Sequence, residues 1–146
     1  MTHSYQFYCT QDSLKGVRTF VEATLKLYVI SEIIVNQLIL AVDEICTNLV
    51  VHAHQSTPED SLEITIENKD KDLFFEIKDK NNTGFDWKTY QQPALEDLVK
   101  TGRKGGMGLI LVNSVMDDVE IQPEGEGSIW RLHKSISALT PHARRS

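Results

Sequence analysis

Glu44 and Asn48 stand four residues apart inside the apolar run Leu40-Ala41-Val42-Asp43-Glu44-Ile45-Cys46-Thr47-Asn48-Leu49-Val50-Val51. At helical pitch, positions i and i+4 share one face, so a carboxylate and a carboxamide project together from a half-buried helix. Buried polar groups without partners are costly. A hydrated divalent cation, a water and a phosphate would satisfy both side chains at once. The nearby His52 and His54 are two residues apart, point in different directions on a helix, and do not read as a metal pair. Far downstream, Arg103-Lys104-Gly105-Gly106-Met107-Gly108-Leu109 runs straight into an amphipathic helix. Glycines at a helix start allow close approach to unpaired backbone N–H groups, the ingredients of an anion site. Arg103 and Lys104 beside them supply cations for phosphate oxygens. Asp79 closes a strand that is otherwise rich in apolar residues, where a side chain can face a ligand. Together these segments point to a nucleotide.

The elements that must hold these groups follow from periodicity. Residues 5–9 alternate aromatic and polar as a short strand does. Asp12 or Ser13 is expected to cap a helix buried through Leu14, Val17, Phe20, Val21, Leu25 and Leu27. Ser31 precedes a longer helix with the stripe Ile34, Leu38, Ala41, Val42, Ile45 and Leu49, ending near His54 because 55–60 is loop chemistry. Strands over 62–67 and 73–79 flank the polar turn 68–72 as an antiparallel hairpin. Residues 80–106 show no sustained periodicity beyond a short helix around 94–100. A connection of that length reads as a lid, expected to open locally at little cost and to close on a ligand's phosphates. A helix over 107–116, buried through Leu109, Ile110, Val112 and Val115, leads to a last hairpin pairing 118–122 with 128–133. The end, 141–146, is expected to fray. This order predicts an α+β fold: a two-layer α/β sandwich whose mostly antiparallel sheet is covered on one face by helices.

A chain of 146 residues, 40% of them hydrophobic, can bury one core. One domain is expected over 1–138, with a tail over 139–146. A net charge of −6 argues against a general nucleic-acid surface, while the local cluster Lys100, Arg103 and Lys104 can still serve a phosphate. Cys9 and Cys46 make no disulfide framework, and Cys46 reads as a buried structural thiol. No signal pattern is present and no apolar run approaches a membrane span, so a cytoplasmic protein without a membrane partner is expected.

The motifs gain force from their order. Glu44-Ile45-Cys46-Thr47-Asn48-Leu49-Val50-Val51-His52-Ala53, then Gly105-Gly106-Met107-Gly108-Leu109-Ile110-Leu111-Val112, then Met116-Asp117-Asp118-Val119-Glu120 before the final hairpin together resemble the Bergerat-fold (GHKL) ATP-binding superfamily. Within it the chain is most similar to the small anti-sigma factor serine kinases and anti-sigma regulatory factors, along almost its whole length. The resemblance implies ATP as the nucleotide and Mg2+ as its cation. It implies Glu44 as the catalytic carboxylate that activates the attacking hydroxyl, and Asn48 as the magnesium ligand. By the same resemblance Asp79 accepts a hydrogen bond from the adenine amino group. Gly105, Gly106, Met107 and Gly108 then supply backbone to the phosphates, with Arg103 and Lys104 in the lid. The implied partners are a sigma factor and an anti-anti-sigma protein phosphorylated on serine, and a homodimer is compatible with this. Two positions depart from the family pattern: Asn81 stands where glycine is usual, and Gly84 arrives one residue late. Asparagine tolerates left-handed backbone geometry, whereas a bulkier loop narrows the adenine pocket. The departure keeps open a non-catalytic binding module of the same fold that regulates by sequestration. A histidine-kinase catalytic domain cut from a larger protein is less expected, because no linker or phosphoacceptor helix precedes the first strand.

Overall fold

The computed structural model describes residues 2–54, 57–80, 104–125 and 127–136. Strand β1 (Thr2–Tyr8) leads to helices α1 (Ser13–Leu25) and α2 (Glu32–Asn48), and α2 continues into a π-helical turn, Leu49–Ala53. The hairpin β2 (Ser61–Lys69) and β3 (Asp72–Asp79) follows, then α3 (Lys104–Val115) and the hairpin β4 (Asp118–Glu124) and β5 (Gly127–Ser135). The five strands form one antiparallel sheet in the order β1-β2-β3-β5-β4. The expected α+β sandwich is the observed architecture. The helix expected around 94–100 and the expected lid up to residue 103 lie outside the described residues, as does the C-terminal stretch from 137 onward.

Alternation builds the sheet. Leu62, Ile64 and Ile66 of β2 and Leu73, Phe75 and Ile77 of β3 are buried, while Glu63, Thr65, Glu76 and Lys78 between them face away from the core. The buried side chains meet Val17, Val21 and Leu25 of α1, Leu38, Val42 and Ile45 of α2, and Val112 and Val115 of α3 in one cluster. Burying a Leu, Ile or Val side chain contributes roughly 1.5–3 kcal/mol, so this cluster holds the helical layer on the sheet. The two-residue turn between β2 and β3 uses Asp70 at φ 56°, and the one between β4 and β5 contains Gly125 at φ 60°. Pairing runs to Lys69↔Asp72, so the strands absorb residues expected in the turn.

Several local expectations are corrected. Ser31, expected only to precede α2, caps it, accepting from the Ile34 N–H. Neither Asp12 nor Ser13 caps α1; the Thr10 hydroxyl accepts from the Ser13 N–H at 3.2 Å instead. Leu27 is 46% exposed, because α1 stops at Leu25 and the chain turns away. Helix α3 starts at Lys104 rather than 107, which puts Gly105 and Gly106 in its first turn and Gly108 just after it. The segment Glu32–Val51 is 20 residues long with mean hydropathy 1.6, apolar enough to cross a membrane by composition, contrary to expectation. Half of it is buried in the fold. Its apolarity is that of a core helix packed between α1 and α3.

Candidate functional site

The central helix sorts its acids by face. Asp43 turns to α1 and pairs with Arg18 at 2.9 Å. Glu44, one position on, meets Asn48, whose Nδ2 donates to Glu44 Oε1 at 3.4 Å. Asn48 is buried and Glu44 half-buried, so the expected i, i+4 pair exists. The contact engages the amide nitrogen, not the carboxamide oxygen, of Asn48. Cys46, between them in sequence, faces the core, where burial pushes its thiol far above the ordinary range.

Asp79 follows from the alternation of β3. It continues the helix-facing stripe Leu73, Phe75, Ile77, so a carboxylate is carried into the core layer at the strand's end, only 2% exposed. Ser128 lies directly across from it in register on β5 and is also buried. Gly127 makes this crossing feasible: a Cβ there would strike the Asp79 carbonyl oxygen and lie 2.6 Å from the Lys80 carbonyl carbon.

One partner of Asp79 is a residue that the sequence pattern did not reveal. His54 Nε2 lies 2.8 Å from Asp79 Oδ2, and His54 Nδ1 lies 2.7 Å from Asp60 Oδ2. The imidazole is 2% exposed. The π-helical turn produces this: His54 N–H bonds back to the Leu49 carbonyl, five residues earlier. The extra residue rotates His54 off the α-helical spacing. The loop then returns through Thr57 N–H to His54 O and Asp60 N–H to Thr57 O, and Cys9 N–H ties Asp60 to the end of β1. The Asp79 hydrogen bond raises the imidazole's pKa, burial opposes it, and the Asp60 bond adds to the rise; the net direction is upward. Cys9 sits in the same field, its thiol pushed up to about 12 by burial and then by Asp79 and Asp60.

Lys104, Gly105, Gly106, Met107 and Gly108 form the first turn and a half of α3, which packs against α2. Arg103, Asn81 and Gly84 lie outside the described residues.

Residues 7–134 match the histidine kinase-like ATPase domain family. The chain belongs to that family. Over 97 residues it is 29% identical to the anti-sigma F factor of Bacillus subtilis (strain 168), covering 66% of each chain. Over 92 residues it is 35% identical to the serine-protein kinase RsbW of Listeria monocytogenes serotype 4a (strain HCC23), covering 60% of this chain and 57% of that protein. The matched stretches thus span less than two thirds of these relatives. Among solved structures, the fold is similar to the RsbU and RsbW domains of Rv1364c from Mycobacterium tuberculosis, with TM-score 0.66 and 12% identity over 97% of this chain and 33% of that one. The Acinetobacter baumannii histidine kinase AdeS aligns with TM-score 0.50 and 13% identity over 92% of this chain and 68% of that one. At such identities the structural likeness is one of fold.

The donor set suits what a histidine kinase-like ATPase domain handles. Asn48 offers a hard oxygen ligand, and Mg2+ is typically held by one or two such protein groups plus phosphates and water. α3 begins Lys104-Gly105-Gly106-Met107, and a helix N-terminus favours phosphate through its first-turn N–H groups and positive dipole end. Asp79 is a buried acceptor of the kind an exocyclic amino group requires.

Proposed function

We propose that this domain binds Mg-ATP and phosphorylates a serine of an anti-anti-sigma protein, and that it sequesters a sigma factor in its other engagement. The observation that carries the reading is the part-buried Glu44–Asn48 pair on α2, in a histidine kinase-like ATPase domain whose glycine-bearing helix α3 packs against α2. The names of the relatives supply the partner class. On this reading the domain spans 1–138 and works in the cytoplasm with protein partners.

Each residue then has one task. Asp79 accepts from the adenine amino group and fixes the base. Asn48 holds the cation through its carboxamide oxygen; Mg2+, when bound, neutralises charge on the phosphates. The N–H groups of Gly105, Gly106, Met107 and Gly108 hold phosphate oxygens, and Arg103 and Lys104 add positive charge. Glu44 takes the proton of the serine hydroxyl as its oxygen bonds to the γ-phosphorus. The bond from that phosphorus to the β–γ bridging oxygen breaks, and ADP leaves. Phosphoryl transfer asks a protein for this positioning and charge stabilisation.

Incubation with labelled ATP, Mg2+ and candidate anti-anti-sigma domains tests the reading; label on a partner serine is expected. ATP binding without transfer to any cognate partner overturns the kinase assignment. Asn81, in place of the usual glycine, favours a second reading, sequestration without catalysis. Calorimetric titration with Mg-ATP separates the two, since only the kinase needs the nucleotide.

A further inference from the structure

The buried imidazole of His54 lies between two carboxylates, and nothing in the phosphoryl-transfer scheme uses it. A neutral imidazole has one N–H and one lone pair. With Asp60 Oδ2 at 2.7 Å on one side and Asp79 Oδ2 at 2.8 Å on the other, a neutral ring would turn its lone pair on a carboxylate oxygen. The doubly protonated ring donates to both. Among the described residues, Asp60 from the loop before β2, Asp79 from β3 and the thiol of Cys9 after β1 share this cluster, and the Cys9 pKa is raised so that it stays protonated. Ser128, across from Asp79, does not titrate in this range.

The consequence falls on Asp79. A buried carboxylate needs a cation or strong donors to hold its charge, and His54 supplies one at 2.8 Å. Once protonated, the carboxyl offers an O–H donor as well as an acceptor. A purine with an amino group at position 6 needs an acceptor there, whereas one with a carbonyl accepts a donor.

We propose that His54 is a positioning residue for base recognition: clamped between Asp60 and Asp79, it keeps the Asp79 carboxylate an oriented, ionised acceptor and so makes the site select adenine over guanine nucleotides. The proposal rests on the reading that Asp79 receives the base. Asp60 is part of the device, because its charge secures the second proton on the ring.

Calorimetric titration of wild type, His54→Ala, His54→Gln, Asp60→Asn and Asp79→Asn with Mg-ATP and Mg-GTP between pH 6 and 8.5 tests it. Wild type should prefer ATP throughout the lower half of that range. His54→Ala should lose on the order of 10–100-fold of that preference near pH 6.5, the size of a lost charged hydrogen bond. His54→Gln, a neutral donor, should recover part of the loss. Asp60→Asn leaves the ring in place and should move the pH profile without abolishing binding. Long-range proton–nitrogen spectra of wild type at pH 7 should show both His54 ring nitrogens protonated, and a neutral tautomer overturns the proposal. So do folded His54→Ala and Asp60→Asn proteins with wild-type selectivity at every pH; in that case Asp79-dependent ATP binding leaves the reading of the site standing. ATP binding unaffected by Asp79→Asn overturns both.

Discussion

Gly127→Ala tests the joint between the sheet and the candidate site. A methyl group on Gly127 would strike the Asp79 carbonyl oxygen and lie 2.6 and 2.7 Å from the Lys80 carbonyl carbon and Cα. All three neighbours are backbone, so no side chain can rotate aside. Ordinary van der Waals contact begins near 3.4 Å, so β5 and β3 must separate by at least roughly 0.8 Å at this end. Overpacking typically costs about 1–3 kcal/mol when side chains can yield. With rigid neighbours, and with the Asp79↔Ser128 pairing strained, about 3 kcal/mol is expected. For a chain of this size that corresponds to a fall of roughly 6–12 °C in Tm, or to about 1.5 M in urea midpoint at a slope of about 2 kcal/mol/M. Thermal and urea melts followed by circular dichroism read the effect. Nucleotide titration of the folded variant should also show weakened ATP binding, because Asp79 moves with its backbone. A variant melting within about 2 °C of wild type would refute the close approach, and with it the argument that Gly127 sets the position of Asp79.

Glu44→Gln should retain Mg-ATP binding and lose about 10²–10⁴-fold in phosphoryl transfer, the usual contribution of a general base; single-turnover assays read it, and normal transfer removes Glu44 from the role. Asn48→Ala should weaken nucleotide binding in a manner that depends on Mg2+ concentration, and an affinity unchanged across a magnesium titration shows that the side chain is not a metal ligand. His54 and His133 both have raised pKa values, the latter through Asp72 and then Asp118 on the open face of the sheet. A raised folded-state pKa contributes stability in full below the unfolded value near 6.5, and that stability is lost as pH rises through the folded value. Tm should therefore fall as pH is raised above about 6.5, and less so in His54→Gln; an identical slope in that variant contradicts the clamp. Cys9 and Cys46 are fully buried with raised pKa values, so an aromatic disulfide reagent should label neither until the protein is unfolded in urea; rapid labelling of the native protein refutes their placement.

Much of the architecture was legible from local rules. Period-two alternation located β2, β3 and β5 to within a few residues, since one face of each strand must be apolar. The stripe through Leu38, Val42 and Ile45 fixed α2, and helical pitch alone placed Glu44 beside Asn48. Asp79 was visible as a carboxylate at the end of an apolar strand. The proposed roles of these residues came from family resemblance, and helical pitch could not have supplied them.

The tertiary structure decided what depends on residues distant in sequence. Strand order β1-β2-β3-β5-β4 places Ser128 and Gly127 against the end of β3, a pairing no local pattern encodes. The π-helical turn is the sharper case. Read as continuous α-helix, His54 is an unremarkable histidine near a helix end. One additional residue in the turn, held by the His54 N–H to Leu49 carbonyl bond, swings it between Asp60, six positions on, and Asp79, twenty-five positions on. Local sequence reports which residues prefer to be buried and at what pitch. Which buried charges share a hydrogen bond is settled when separate segments pack, because only then does the cost of burying each one select its partner.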